Sequence, residues 1–210
     1  DVDPGELVIV TGASGAGKST LLRAVVGLIP DYVGSIELDR REIKHWRFAK
    51  DLAFIGYLPQ EIRLYGTTVA ENISGEADPD MAVMIALCDE LGMHDDIAAL
   101  KDGYKTPVNA SMPQFSGGQL RLLGLARALW GTPKMLVLDE PTNGLDAERE
   151  KKVLDAIIRR QREGAALLVA THATPLVRNA TKILWLKWGQ TKSYGLRDTV
   201  LAKMGVREVA

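Results

Sequence analysis

Glu6-Leu-Val-Ile-Val10-Thr-Gly12-Ala-Ser-Gly15-Ala-Gly17-Lys18-Ser-Thr20-Leu-Leu-Arg-Ala-Val25-Val26 is the stretch on which the reading of the whole chain turns. It opens on a β-branched run of strand length and passes into a glycine-rich loop. Leu21, Leu22, Val25 and Val26 then recur at helical spacing. The order is strand, loop, helix. Glycines let the loop turn sharply, so that main-chain N–H groups and the positive end of the following helix converge on one point, an arrangement suited to an anion.

Two of the loop's glycines, Gly12 and Gly17, are separated by four residues and followed by Lys and Ser, the P-loop pattern. The candidate phosphate cradle comprises Gly12, Ser14, Gly15, Ala16, Gly17, Lys18, Ser19 and Thr20. Lys18 adds a mobile positive charge for the outer phosphates, and Ser19 offers a hydroxyl to Mg²⁺. Thr20 faces either the fold or an inner phosphate. A plain glycine turn before a helix is the bland alternative, but the position between a strand and a helix is the one the chemistry requires.

Outward from this loop, strand-length apolar runs appear at Ala53–Leu58, Met135–Leu138, Ala165–Ala170 and Ile183–Leu186. Their alternation with helical stretches predicts an α/β fold with a mostly parallel sheet, covered by helices on both faces and binding ligand at the carboxyl ends of its strands. Between residues 69 and 129 the pattern turns helical, most clearly at Asp80–Leu91 and Leu120–Leu129. The expected organisation is therefore an α/β core of residues 1–68 and 130–210 with an inserted helical lobe of 69–129.

Composition restricts the rest. The 210 residues are 46% apolar and 25% charged, enough for a real core, and the net charge of −1 supplies no field to gather nucleic acid. No apolar run approaches the ~20 residues a membrane-spanning helix needs. The chain opens on Asp1 without the features of a signal peptide, and reads as a domain excised from a longer protein. The one cysteine, Cys88, falls in a helical apolar pattern and is expected to fill core space.

Met135-Leu-Val-Leu-Asp139-Glu140 is a buried strand delivering two carboxylates at its carboxyl end. Adjacent strand residues point to opposite sides, so the two acids take different jobs. Asp139 is assigned to the metal, and Glu140 to the base that polarises the attacking water.

Phe115-Ser116-Gly117-Gly118-Gln119, directly before an amphipathic helix, resembles the LSGGQ signature of ABC ATPases. The resemblance implies a P-loop NTPase (RecA-like) fold, ATP and Mg²⁺ as ligands, and hydrolysis shared between two cassettes paired head to tail. Each signature, through Ser116, Gly117 and Gly118, then closes over ATP on the partner's P-loop. Further motifs follow in the family's order. Gln60, after Tyr57-Leu-Pro59, is similar to the glutamine that touches Mg²⁺ and senses a membrane domain. Asn143-Gly-Leu-Asp146 resembles the D-loop, and His172 the switch histidine that contacts the γ-phosphate.

Tyr57-Leu-Pro-Gln60 with Leu64-Tyr-Gly-Thr-Thr-Val-Ala-Glu-Asn-Ile73 is similar to exporter cassettes, above all those of type I protein secretion, as is the closing run Trp188–Leu201. The resemblance implies a transmembrane domain as partner and a place at the cytoplasmic face of the inner membrane. Three departures stand out. No adenine-stacking aromatic residue precedes the P-loop within this chain. Asn109–Gln114 carries no acid where exporters have an acidic stretch, and Phe115 replaces a leucine. The alternatives are a soluble ABC ATPase outside transport, and a nucleotide-binding scaffold that does not hydrolyse. Glu140 and His172 speak against the scaffold, and Phe115–Gln119 against a P-loop kinase.

Overall fold

The computed structural model describes residues 1–45, 54–65, 68–108 and 115–205. A six-stranded sheet organises them, in the order β4-β5-β6-β1-β7-β8. These strands are β1 Leu7–Thr11, β4 Ile55–Leu58, β5 Met135–Asp139, β6 Ala166–Ala170, β7 Lys182–Lys187 and β8 Gln190–Leu196. All neighbours are parallel except β7 and β8, which form an antiparallel hairpin. A separate two-stranded hairpin pairs β2 Glu37–Leu38 with β3 Arg41–Glu42.

The continuous apolar runs are explained by burial on both faces. In β1, Leu7 and Ile9 enter one core cluster while Val8 and Val10 enter the other. On the second face lies α1 Lys18–Val25, packed against β5 and β6. The first face takes α6 Ala147–Arg162, whose Val153, Ala156 and Ile157 are buried.

The helical region holds α2 Val69–Ser74, α3 Met81–Glu90, α4 His94–Ala98 and α5 Gly117–Leu129. Two short helices, α7 Thr174–Asn179 and α8 Arg197–Met204, follow later. Asp80 caps α3 by accepting from the N–H groups of Ala82 and Val83, so the predicted Asp80–Leu91 helix is seen with its ends as caps. Cys88 is fully buried there.

α5 begins three residues earlier than its apolar pattern suggested, because its first turn is the glycine pair. It crosses β4 at close range. A Cβ on Gly56 of β4 would lie 1.8 Å from the Ala128 carbonyl oxygen, and one on Gly124 would lie 2.7 Å from Ile62 Cδ1. Among the described residues, no helix is long and apolar enough to cross a membrane. Ala53 of the predicted Ala53–Leu58 strand, Gly66 and Thr67 of the exporter-like run, and Asn109–Gln114 lie outside the described residues.

Candidate functional site

Strand register brings the sequence-distant motifs to one edge. Val10 pairs with Ala170 and Ala170 with Asp139, while Leu58 pairs with Leu138. Neighbouring strands lie ~4.8 Å apart. The chain therefore leaves the sheet toward Gly12, His172, Glu140 and Gln60 at adjacent points along its carboxyl edge.

At the first exit, Gly12 adopts φ 154°, and a Cβ there would meet the Leu186 carbonyl oxygen at 2.3 Å. Only glycine lets the loop pass so close to β7. The turn of the β7–β8 hairpin clamps the loop from the same side, Gly189 N–H donating to the Ala16 carbonyl at 3.1 Å. Lys18 Nζ donates to the Gly12 carbonyl at 2.7 Å and to the Ala13 carbonyl at 3.3 Å, which holds the ammonium over the loop. Gly17 caps α1 with a left-handed φ of 98°, leaving the first N–H groups of the helix without intrahelical partners. Thr20 is exposed on the first turn rather than packed into the fold, which removes the fold-facing reading of that residue.

Asp139 ends β5 at 2% exposure, and its Oδ2 is buried without a hydrogen-bond partner. A buried carboxylate oxygen without a donor is costly unless a cation satisfies it. The Ser19 hydroxyl, on the first turn of α1, is an oxygen donor of the same hard type. Among the described residues no group of three or more His, Cys, Asp or Glu side chains could cage a metal.

The alternation argument does not carry to Glu140. This residue has left the strand in a left-handed conformation at φ 49°, which costs a non-glycine residue about 1–2 kcal/mol. Its backbone is held by Glu140 N–H donating to the Ala170 carbonyl at 2.8 Å and by its own carbonyl accepting from Asn143 N–H at 3.2 Å. The outcome is still two environments: Asp139 buried, and Glu140 turned out to partial exposure with Oε1 3.9 Å from His172 Nε2. The His172 side chain is 61% exposed, open to a ligand.

The second phosphate-type helix start is that of α5. Ser116 Oγ accepts from Gln119 N–H at 3.2 Å, and Gln119 Oε1 accepts from Ser116 N–H at 2.9 Å, a full capping box. The serine oxygen is thus engaged as an acceptor, while its hydroxyl hydrogen remains available to donate. A Cβ on Gly118 would approach the Gly144 carbonyl oxygen to 2.9 Å, so the glycine lets the Asn143–Asp146 turn close against the signature. Both line one cavity of about 580 Å³ with Arg121 and Arg149.

Asp146, expected to contact nucleotide, has a structural occupation. Its carboxylate caps α6 by accepting from Arg149 N–H at 2.9 Å. That bond, reinforced by the Arg149 charge, holds its pKa below the ordinary value. Gln60 is exposed on the loop after β4. Its carbonyl accepts from Arg121 Nη2 at 3.0 Å. Sequence reasoning missed Arg121; its one signal is a cation among Leu120, Leu122, Leu123 and Leu125 in an otherwise apolar stretch.

A glycine–lysine loop at the end of β1, a buried acid and an αL-held glutamate at the neighbouring strand ends define the fold of the P-loop nucleoside triphosphatases. The family model described as ABC transporter matches residues 1–143. This chain belongs to that family. It is 34% identical over 204 residues to the type I secretion system ATP-binding protein PrsD of Rhizobium meliloti, covering 97% of this chain and 35% of that protein. It is 32% identical over 206 residues to the ATP-dependent lipid A-core flippase of Saccharophagus degradans, covering 98% and 35%. Among solved structures it resembles a bacterial Atm1-family ABC exporter with ATP bound, with a TM-score of 0.84 and 28% identity over 96% of this chain and 36% of that one.

Proposed function

We propose that this chain binds and hydrolyses MgATP to drive an exporter, as one of two cassettes that close head to tail over shared nucleotides. The observation that carries the reading is the carboxyl edge of the sheet. There the Gly12–Lys18 loop, the unpartnered Asp139 oxygen and the Glu140–His172 pair at 3.9 Å leave neighbouring strands.

Main-chain N–H groups of residues 14–20 and the Lys18 ammonium bind the phosphates. Ser19, Asp139 and Gln60 would hold Mg²⁺. When bound, the ion neutralises charge on the β- and γ-phosphates. Glu140 accepts a hydrogen bond from the attacking water and takes its proton as the water oxygen adds to the γ-phosphorus and the β–γ bridging bond breaks. His172 donates toward the γ-phosphate and fixes it beside Glu140.

The signature cavity supports the pairing. Ser116, Gly117 and Gly118 form an anion-binding helix start on a different helix from the P-loop, so one chain offers two half-sites. The relatives named above are some three times longer and belong to membrane transporters. We therefore place a transmembrane domain, fused or separate, at the exposed Gln60 loop, and the cassette at the cytoplasmic face of the inner membrane. The similarity to PrsD favours protein or peptide cargo. Residues 69–129 serve as the helical lobe that carries the signature.

The deciding experiment compares the parent with Glu140→Gln. ATP affinity is expected to stay within about two-fold, hydrolysis to fall by ~10²–10⁴-fold, and ATP to accumulate dimers on a sizing column. Hydrolysis at the parent rate would remove Glu140 from its role, and a parent that bound no ATP would sink the reading altogether.

A further inference from the structure

Arg121 stands in the second turn of α5 and is 8% exposed. Its guanidinium joins three elements that meet nowhere else in sequence. Nη1 donates to the Pro59 carbonyl at 3.2 Å and to the Asp139 carbonyl at 3.3 Å, and Nη2 to the Gln60 carbonyl at 3.0 Å. The planar fork thus ties the signature helix to the loop after β4 and to the end of β5. Its bonds go to main-chain carbonyls, so it fixes backbone rather than pairing a charge.

Such a burial needs a reason. Desolvation lowers the Arg121 pKa, and the charges of Asp139 and Glu140 oppose that shift. A leucine at this position would pack without the penalty. The helix that carries the guanidinium cannot drift, because Gly56 and Gly124 let α5 and β4 interlock at near-contact distance. Arg121 is therefore a fork of fixed position, and both the Gln60 backbone and the Asp139 backbone are referred to it.

We propose that Arg121 is a positioning residue of the nucleotide site, holding the Gln60 loop and the Asp139 end of β5 in the separation that Mg²⁺ requires, and tying both to the signature helix of the same copy. This rests on the MgATP reading above. Asp139 Oδ2, buried and without a donor, is the oxygen whose placement the fork governs through the backbone of the same residue.

The test compares Arg121→Met, Arg121→Lys and Arg127→Met in the full chain. Arg127 lies on the same helix and is also bonded to carbonyls, those of Asn72 at 2.7 Å and Arg63 at 3.0 Å, away from the carboxyl edge. It is the structural control. Four quantities are read: melting temperature, ATP dissociation constant in EDTA, the same constant in Mg²⁺, and kcat against Mg²⁺ concentration.

Both Met variants are expected to lose comparable thermal stability. Arg121→Met alone loses ~10-fold or more of the affinity gain that Mg²⁺ brings, and kcat falls with it, while affinity in EDTA stays within about two-fold. Arg121→Lys, keeping the charge and some of the donors, lies between. Equal behaviour of the two Met variants, or an undiminished Mg²⁺ gain in Arg121→Met, overturns the assignment. Should Arg121→Met fail to fold, an undiminished Mg²⁺ gain in Arg121→Lys overturns it instead. A parent that binds no ATP refutes the MgATP reading, whereas a parent with normal MgATP binding and an indifferent Arg121 refutes only this one.

Discussion

Gly56→Ala tests the contact on which the position of the signature helix depends. The added methyl would sit 1.8 Å from the Ala128 carbonyl oxygen, 2.9 Å from the carbonyl carbon and 2.7 Å from Leu136 Cδ2. Two of these atoms are backbone in the middle of the architecture, so no side chain can rotate to make room. Ordinary contact lies near 3.5 Å, and the helix or the strand must retreat by roughly 1.5 Å. A radial gap of ~0.5–1 Å already forfeits a quarter to a half of each dispersion contact, and Leu122 and Leu125 of α5 are wholly buried in that layer.

The cost should therefore stand at or above the usual overpacking range, about 3 kcal/mol. For a chain of this length that is a fall of at least ~6 °C in melting temperature. Two companions calibrate it. In Gly124→Ala the methyl meets the ends of Ile62 and Leu58 side chains, which can move, so the loss should be smaller. In Gly117→Ala it meets nothing within 4 Å on the first turn of a helix, so the change should stay within about 0.5 kcal/mol. Calorimetry in one buffer ranks the three. If Gly56→Ala melted within 2 °C of Gly117→Ala, the close crossing of α5 over β4 would be wrong.

Ser116→Arg should abolish hydrolysis by crowding the partner's γ-phosphate, and Lys18→Ala should abolish it from the other side. Mixed at random, half the dimers pair one copy of each and keep one intact site, so activity should return to about a quarter of the parent value. No recovery in subunit-exchanged mixtures would count against shared sites. Burial raises the Cys88 thiol from 9.0 to about 11. A neutral group whose pKa is raised on folding stabilises the fold below its unfolded pKa, and that contribution is lost as pH rises from about 9 to 11. Alkylation of the native chain at pH 8 should accordingly be negligible and become fast in denaturant; rapid labelling of the native state would contradict the burial.

Much of the carboxyl edge was readable because its determinants are local. Leu7–Val10 and Met135–Leu138 are apolar throughout since both faces of a parallel sheet are covered, and the glycine–lysine loop follows the strand it must follow. The Ser116–Gln119 capping box was also present in sequence as serine and glutamine three apart, masked by its reading as an anion site. What escaped has no local signal. Nothing in Leu138-Asp139-Glu140 announces a left-handed glutamate, a conformation expected of glycine or asparagine. The reach of Arg121 to carbonyls some 60 residues upstream is a product of tertiary packing, and the two-residue strands β2 and β3 are too short for periodicity to register. Asp146 has a task that its reading for ligand contact did not include: its carboxylate begins a helix.

The register that links Val10, Ala170 and Asp139 also has a bearing on how the protein comes into being. Each link joins segments separated by a crossover, and Gly12 and His172, which follow paired strands, lie some 160 residues apart in sequence. No hairpin or isolated helix pair contains even a partial version of this arrangement. Such non-local pairing must bear the loop-closure entropy before any contact is gained, which makes it slow and late. The glycine–lysine loop is therefore made long before the strands that lead to Glu140 and His172. The site proposed above is assembled only when β6 slots between β1 and β5.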